Sequence, residues 1–544
     1  MVNVTYKEKD YVLEDGTTFL EFSKSLDYGF TPIIAKTNSV LVDLSREIND
    51  ESRIDFLDLE DNNGYLAFQR SVSFMAYVAV KEVLGEKARM IINHSIYKSF
   101  YCSIEDIKLT EEDVKKIRGK MLDMVANNEP IERHHIRVDV ATKLMKKFNN
   151  PVRRELIGYE VENSIVLYSL RGVYNFFYDV LACECANLLN FGIEYYNDGF
   201  VIIFPNRKNP YEKRELTIFS KVSQVFEESA NWADILKVSN LASINKYIAD
   251  DKIEDVIKIN EALHDKKIAF LADEITKNKK KLVLIAGPSS SGKTTFSKRL
   301  CVHLEVNGIK PIVIGLDDYY KNRIDIPFGP DGKRNFEVIE TLEIEMINRD
   351  LGKLLKGEEV ELPHFNFVEG VKEWKGNKVK LKENSVIVIE GIHGLNDRLT
   401  EAIDKALKYK IFIAALTQIS VDDINRISTR DTRLIRRIVR DHKFRGFHAL
   451  TTIAMWEDVL QGEAENIFPY QEEADAVFNS AFVYELALLK SYVLPILYKV
   501  SNEEKEYSEC RRLIKFLNNF LTLPADLVPT GSILREFIGG SIYE

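Results

Sequence analysis

A short apolar run, KLVLIA (281–286), leads directly into Gly287-Pro288-Ser289-Ser290-Ser291-Gly292-Lys293-Thr294-Thr295. An amphipathic stretch, TTFSKRLCVHLEVNG, follows and ends at Gly308. No other segment restricts the fold as strongly. Glycine at each end lets the backbone curl until its N–H groups converge, and a following helix adds the positive end of its dipole. The pattern G-x4-G-K-[ST] between a strand and a helix is a phosphate cradle. In such a cradle Lys293 reaches the outer phosphates and the Thr294 hydroxyl ligates Mg²⁺. Seen alone, a Gly/Ser-rich loop is commonplace; the flanking strand and helix make this one specific.

The surroundings agree. PIVIGLD (311–317), SVIVIE (385–390), KIFIAA (410–415) and ADAVFN (474–479) are short, continuous apolar runs with helical patterns between them. Strands buried on both faces of a parallel sheet read this way. Two runs end in acids. Asp317, followed by Asp318-Tyr319-Tyr320, falls at the C-terminal end of a strand, where such sheets open their ligand crevice. Asp317 is placed to take a proton from an attacking hydroxyl or to serve Mg²⁺; Asp318 reads as an N-cap or exposed turn acid. Glu390, before Gly391-Ile392-His393-Gly394, stands where a second Mg²⁺ acid belongs. His393 is a candidate substrate contact, with a hydrogen-bonded structural histidine as the plainer reading.

The segment DTRLIRRIVRDHKFRGF (431–447) sets Arg433, Arg436, Arg437 and Arg440 within about 100° of helical arc, while Leu434, Ile435, Ile438 and Val439 face the other way. This predicts one packed face and one that presents four guanidinium groups, extended by Lys443 and Arg445. Beside a phosphate cradle, that is an arginine-bearing lid; otherwise it is a solvated basic face or an RNA contact.

A chain of 544 residues has room for three or four domains. Its net charge of −10 excludes a basic coat for nucleic acid as the global role. Cys102, Cys183, Cys185, Cys301 and Cys510 are too few and scattered for a disulfide framework and fit a reducing compartment. Cys183-Glu184-Cys185 has the wrong spacing for a redox or zinc pair. The N-terminus is too charged for a signal peptide, and no apolar run approaches the roughly 18 residues of a membrane span. The expectation is a soluble cytoplasmic protein.

Residues 1–62 read as short strands and turns: VNVTY, YVLE, IIAKTN, VLVDLS and IDFLDLE, with Asp15-Gly16 as a hairpin-type turn. Further on, FMAYVAVKEVLG (74–85) and EEDVKKIRGKMLDMVANN (111–128) are helical in period, and GFVIIFP (199–205) is a strand stopped by Pro205. Residues 226–280 predict a helical connector whose lysine run, 279–281, is a solvated helix end. The tail from about 485 is mostly helical.

GPSSSGKTT, LDDYY, NFEVIETL (335–342), LPHFNF (362–367), IVIEGIHGL and DTRLIRRIVRDHKFRG together resemble the phosphoribulokinase/uridine kinase family over about residues 281–485. The resemblance implies ATP- and Mg²⁺-dependent phosphoryl transfer to a hydroxyl, with ATP or GTP as donor and a nucleoside or sugar phosphate as acceptor. It implies Asp317 as base and Mg²⁺ acid and Glu390 as second Mg²⁺ acid. Lys293 and Thr294 then handle triphosphate and metal, and Arg437, Arg440 and Arg445 are lid arginines. Tyr320 and Glu337 fall where uridine kinases contact the nucleoside. Phe365-Asn366-Phe367 replaces the family's Tyr-Asp-Phe, and Glu369-Gly370 stands near a base-reading histidine, so uridine itself does not follow.

The N-terminal half has a separate resemblance, carried by AKTNSVLVDLSREI (35–48), GYLAFQRSVSFMAYVAVKEVLG (64–85), MIINHSIYKSFYCSI (90–104) and KKIRGKMLDMVANNEPIERHHI (115–136). Residues 1–62 are similar to a TGS domain, a β-grasp module, and 63–225 to the second N-terminal domain of threonyl-tRNA synthetase. There an arginine precedes an H-x3-H pair of an editing site; here Arg70 precedes Ser71-Val72-Ser73-Phe74-Met75, so no editing is expected. His134-His135 lie adjacent on a strand and point to opposite faces, against a metal pair. The implied fold is multidomain α/β and α+β. It comprises a TGS-like β-grasp (1–62), an α+β synthetase-like domain (63–225), a helical connector (226–280), a P-loop kinase with a parallel sheet (281–485) and a helical tail (486–544). This order matches a group of bacterial uridine kinase-like nucleoside kinases. Homo-oligomerisation, and RNA contact through the N-terminal half, stay open as partners; a membrane is not expected.

Overall fold

The computed structural model describes the chain apart from residues 27–28, 50–51, 97, 211, 213, 218–220, 222–224, 226–227, 229–230, 234, 327–337, 367–368 and 544. Strands β1 (Val2–Tyr6) and β2 (Lys9–Leu13) form a hairpin with Tyr6 opposite Lys9. Its two-residue turn is Lys7-Glu8, both at positive φ (47° and 63°), the twist a tight hairpin needs. The anticipated turn at Asp15-Gly16 therefore does not join these strands. It leads instead into a helix, Phe19–Lys24, started by a capping box in which Thr18 and Glu21 satisfy each other's backbone N–H. With β3 (Ile34–Thr37), β4 (Val40–Val42) and β5 (Ser52–Leu57) the sheet runs β2-β1-β5-β3-β4, with β1 parallel to β5.

The helix expected over 74–85 spans Asn62–Leu84, capped by Asp61. Every residue from Ser71 to Lys81 is buried, because the helix runs through a core shared with the surrounding strands. These are β6 (Met90–Ile96), β7 (Ser99–Ile104), β8 (Glu132–Arg137), β9 (Ser164–Leu170), β10 (Val173–Asn175), β11 (Gly192–Tyr196) and β12 (Gly199–Ile203). They form two antiparallel sheets, β10-β9-β8 and β11-β12-β7-β6. The second predicted helix is Glu111–Ala126, with a Thr110/Asp113 capping box. On β8, His134 bonds Ser169 and His135 bonds Arg133.

Helices Leu241–Ala249 and Ile253–Lys277 lead to the last unit. The lysines after them are not simply solvated: Lys280 donates to the Ala406 carbonyl and Lys281 to that of Glu383. Strands β13 (Leu282–Ala286), β14 (Lys310–Gly315), β17 (Ser385–Glu390), β18 (Lys408–Ala414) and β19 (Ala476–Asn479) make an all-parallel sheet ordered β14-β17-β13-β18-β19. The cradle strand β13 is thus central and buried throughout, which explains its unbroken apolar sequence. Between β14 and β17 an antiparallel ribbon, β15 (Glu359–Asn366) with β16 (Val371–Lys380), stands apart from the sheet. All five cysteines are buried thiols.

The two halves meet at the loop that follows β18. Arg153 pairs with Asp422 at 2.7 Å, both fully buried, and its guanidinium lies 3.6 Å from the Phe176 ring. Arg89 grips Asp423, and the Ile92 N–H donates to the Asp423 carbonyl at 2.8 Å. Ile424 packs into the core of the N-terminal half.

Candidate active site

The loop after β13 is shaped by its glycines. A Cβ on Gly287 would stand 2.1 Å from the Ile413 carbonyl oxygen, so only glycine lets the loop pass this close to β18. Gly292 begins the helix Lys293–Val306 at φ 83°, a left-handed conformation. The Lys293 ammonium donates to the Gly287 and Pro288 carbonyls at 2.8 and 3.1 Å, folded back over the loop. Loss of hydration pulls it below the ordinary lysine range, while Glu390, Glu536, Glu463 and Asp317 oppose that shift.

The Thr294 hydroxyl donates to Glu390 Oε1 at 3.1 Å. The other oxygen of Glu390 is buried and accepts no hydrogen bond from the described residues, and desolvation raises its carboxyl despite Lys293. Asp317 stands in the single turn Leu316–Tyr319 after β14. Asp317 is exposed, yet the surrounding protein strips enough water to raise its carboxyl, with Lys293 and Arg445 pulling the other way. Three parallel strands thus deliver Lys293, Thr294, Asp317 and Glu390 to one end of the sheet. A hydroxyl, an orphaned carboxylate oxygen and a second acid are the hard oxygen donors that suit Mg²⁺.

The arginine helix is Thr429–Arg445, as its period predicts, but it does not present four free guanidinium groups. Arg433, Arg436 and Arg437 are buried. Arg433 pairs with Glu463 and donates to the Ser289 carbonyl at 2.9 Å. Arg436 pairs with Glu485 and donates to the Ser480 and Ser290 carbonyls at 2.8 and 3.4 Å. Arg437 donates to the Ser289 hydroxyl at 2.7 Å. The helix is therefore a buttress clamped to the cradle's backbone rather than a detached lid. Arg437, Arg440 and Arg445 also share one buried carboxylate, Asp441, at 3.3, 2.8 and 3.4 Å. Asp441 thus holds three guanidinium groups together at one end of the helix.

Residues 282–486 match the sequence profile of the phosphoribulokinase/uridine kinase family. Over 184 residues the chain is 30% identical to a uridine kinase of Ligilactobacillus salivarius, covering 34% of this chain and 77% of that one. This chain belongs to the phosphoribulokinase/uridine kinase family. A uridine kinase of Deinococcus deserti is 27% identical over 205 residues, 38% of this chain and 89% of its own. The N-terminal region matches another kind of protein: a threonine–tRNA ligase of Clostridium kluyveri, 26% identical over 176 residues. This match spans 32% of the chain but only 28% of the ligase.

Among the family's acceptor-side positions, Tyr320 meets Phe365 edge-on, with ring centroids 5.9 Å apart. Asp318 accepts from the Phe365 N–H at 3.1 Å and pairs with His364 at 3.3 Å, tying the turn after β14 to the ribbon. Glu337 and Phe367 lie outside the described residues. His393 is only 1% exposed, so it offers a substrate no accessible surface and is an interior residue. Sequence reasoning missed Asp441, Glu463, Glu485 and Glu536. Only Asp441 carried a signal, four residues from both Arg437 and Arg445; the others come from distant segments.

Proposed function

We propose that the protein transfers the terminal phosphoryl group of a nucleoside triphosphate to a hydroxyl of a nucleoside, with Asp317 as general base. The observation that carries this reading is the convergence of Lys293, Thr294, Glu390 and Asp317 around the cradle. Backbone N–H groups at the start of helix Lys293–Val306 hold phosphate oxygens. Asp317, whose carboxyl burial makes more basic than usual, accepts the hydroxyl proton as that oxygen attacks phosphorus. Lys293, Arg437, Arg440 and Arg445 offset the charge that gathers on the transferred group. Thr294, Glu390 and Asp317 would hold Mg²⁺, which neutralises phosphate charge when bound. Tyr320 and Phe365 line the acceptor side in this reading, and the family resemblance alone assigns Glu337 to the same role.

The reading divides the chain into 1–62 (TGS-like), 63–225 (synthetase-like), 226–280 (connector), 281–485 (kinase) and 486–544 (tail). The Phe365-Asn366-Phe367 stretch leaves the base unspecified, so the test is a panel of nucleosides and sugar phosphates with Mg-ATP. A nucleoside should accelerate ATP consumption, and Asp317→Asn should slow that turnover by about 10²–10⁴-fold. Near-full activity in Asp317→Asn would refute the base. Tight, salt-sensitive tRNA binding, with no small acceptor active, would turn the reading toward an RNA-dependent NTPase.

A further inference from the structure

The segment 532–543 lies beyond the family match and is packed onto the phosphate loop. Ile533, Leu534, Phe537 and Ile538 are buried in the kinase core. Ile533 closes on Gly292, where an added Cβ would come within 2.4 Å of Ile533 Cγ2. Phe537 lies under the Arg436 guanidinium, 5.0 Å from its ring centre. The Ile538 carbonyl accepts from Lys443, and that of Tyr543 from Lys298. Anchored this way, the segment delivers the Glu536 carboxylate to the Thr295 N–H at 3.0 Å.

The first N–H groups of a helix have no partner within it. In helix Lys293–Val306 the Phe296 N–H already bonds the Gly292 carbonyl at 3.1 Å, so the donors with no acceptor within the helix are those of Lys293, Thr294 and Thr295. Glu536 has taken one of them. These are the donors a phosphate uses at a helix N-terminus. We propose that Glu536 is a built-in competitor for the phosphate site, one that a polyphosphate ligand must displace to bind. Four apolar side chains fix the backbone around it, whereas the Glu536 side chain is only partly covered. Displacement is therefore a swing of one side chain, with the short helix Arg535–Ile538 left in place. A nucleoside without phosphates has no group to set against this carboxylate, so Glu536 tunes affinity for the phosphate chain alone.

The proposal rests on the nucleotide reading above, and its test separates the two. Dissociation constants of Mg-ATP and of adenosine are measured by calorimetry for the full chain and for Glu536→Gln. A charge-assisted hydrogen bond is roughly twice as strong as a neutral one, so the variant should bind Mg-ATP about tenfold more tightly. Adenosine affinity should not change. Glu536→Ala, which removes the acceptor, should tighten Mg-ATP at least as much, and unfolding midpoints verify that both variants fold. A parent that binds Mg-ATP and variants that bind it no better, or worse, would overturn the proposal alone. A parent with no affinity for either Mg-ATP or Mg-GTP would overturn the nucleotide reading and this proposal with it.

Discussion

Replacing Arg436 by methionine tests whether the arginine helix is a buttress. Arg436 and Glu485 are 0% and 1% exposed, so solvent screens the pair little. Methionine keeps most of the side-chain volume and removes the charge. Glu485 is then left buried without its cation; burial already raises its carboxyl, and Arg436 is what opposes that. Breaking a buried pair from one side costs about 3–5 kcal/mol, a midpoint shift on the order of 1–2 M urea. Trp456 lies 5.3 Å from the Arg433 guanidinium, so tryptophan fluorescence reports on this helix. The double variant Arg436→Met/Glu485→Leu removes both charges, and an apolar replacement of a buried pair is neutral or better. Its midpoint should return close to the parent's. Its nucleotide affinity should not, because the Ser290 and Ser480 carbonyls still lack their donor. A single variant as stable as the parent, or a double variant as weak as the single, would refute the reasoning.

Burial raises the Asp317 and Glu390 carboxyls, so both protonate above the ordinary carboxylate range of roughly 4. Activity that needs both ionised should fall off on the acid side above that value, and a kcat/KM profile with its acid limb at or below it would contradict the assignment. Their stability contribution runs the other way: it is present at low pH and lost as pH rises through the raised values. Gly287→Ala drives a Cβ against the fixed Ile413 carbonyl, and overpacking of this kind costs about 1–3 kcal/mol; equilibrium binding should show nucleotide affinity falling about tenfold or more. Arg153→Ala takes the cation from the buried Asp422 carboxylate, leaving it only the Ile424 and Asn425 donors, and should cost about 3–5 kcal/mol, seen as a lower unfolding midpoint and faster proteolysis between the halves.

The cradle, its strand and its helix were legible because each is local: glycines at fixed offsets, an apolar run before them and an amphipathic stretch after. Asp317 and Glu390 could be placed because Glu390 ends one strand of the sheet and Asp317 stands in the turn directly after another. The β15–β16 ribbon was not, since VKEWKGNKVK is charged and largely exposed and carries no alternation of buried and polar positions. The β1–β2 turn escaped because Lys7-Glu8 occupies a conformation that asparagine or glycine would normally advertise. The arginine helix misled for another reason. Periodicity places guanidinium groups on a face but says nothing of Glu463 and Glu485, which arrive 30 and 49 residues later to bury that face. The Glu536 contact, 241 residues from Thr295, is likewise purely tertiary.

The loop after β18 has a practical corollary for anyone who would excise the catalytic half. Severing the chain near residue 240 removes Arg89 and Arg153 at a stroke, leaving Asp423 without its cation and Asp422 held only by its neighbours Ile424 and Asn425, on a newly wetted surface where Ile424 has lost its core. Those residues stand directly ahead of the arginine helix, so the scar would open at the root of the element that braces the phosphate loop. A soluble, faithful fragment would call for neutral replacements at both aspartates and a polar one at Ile424.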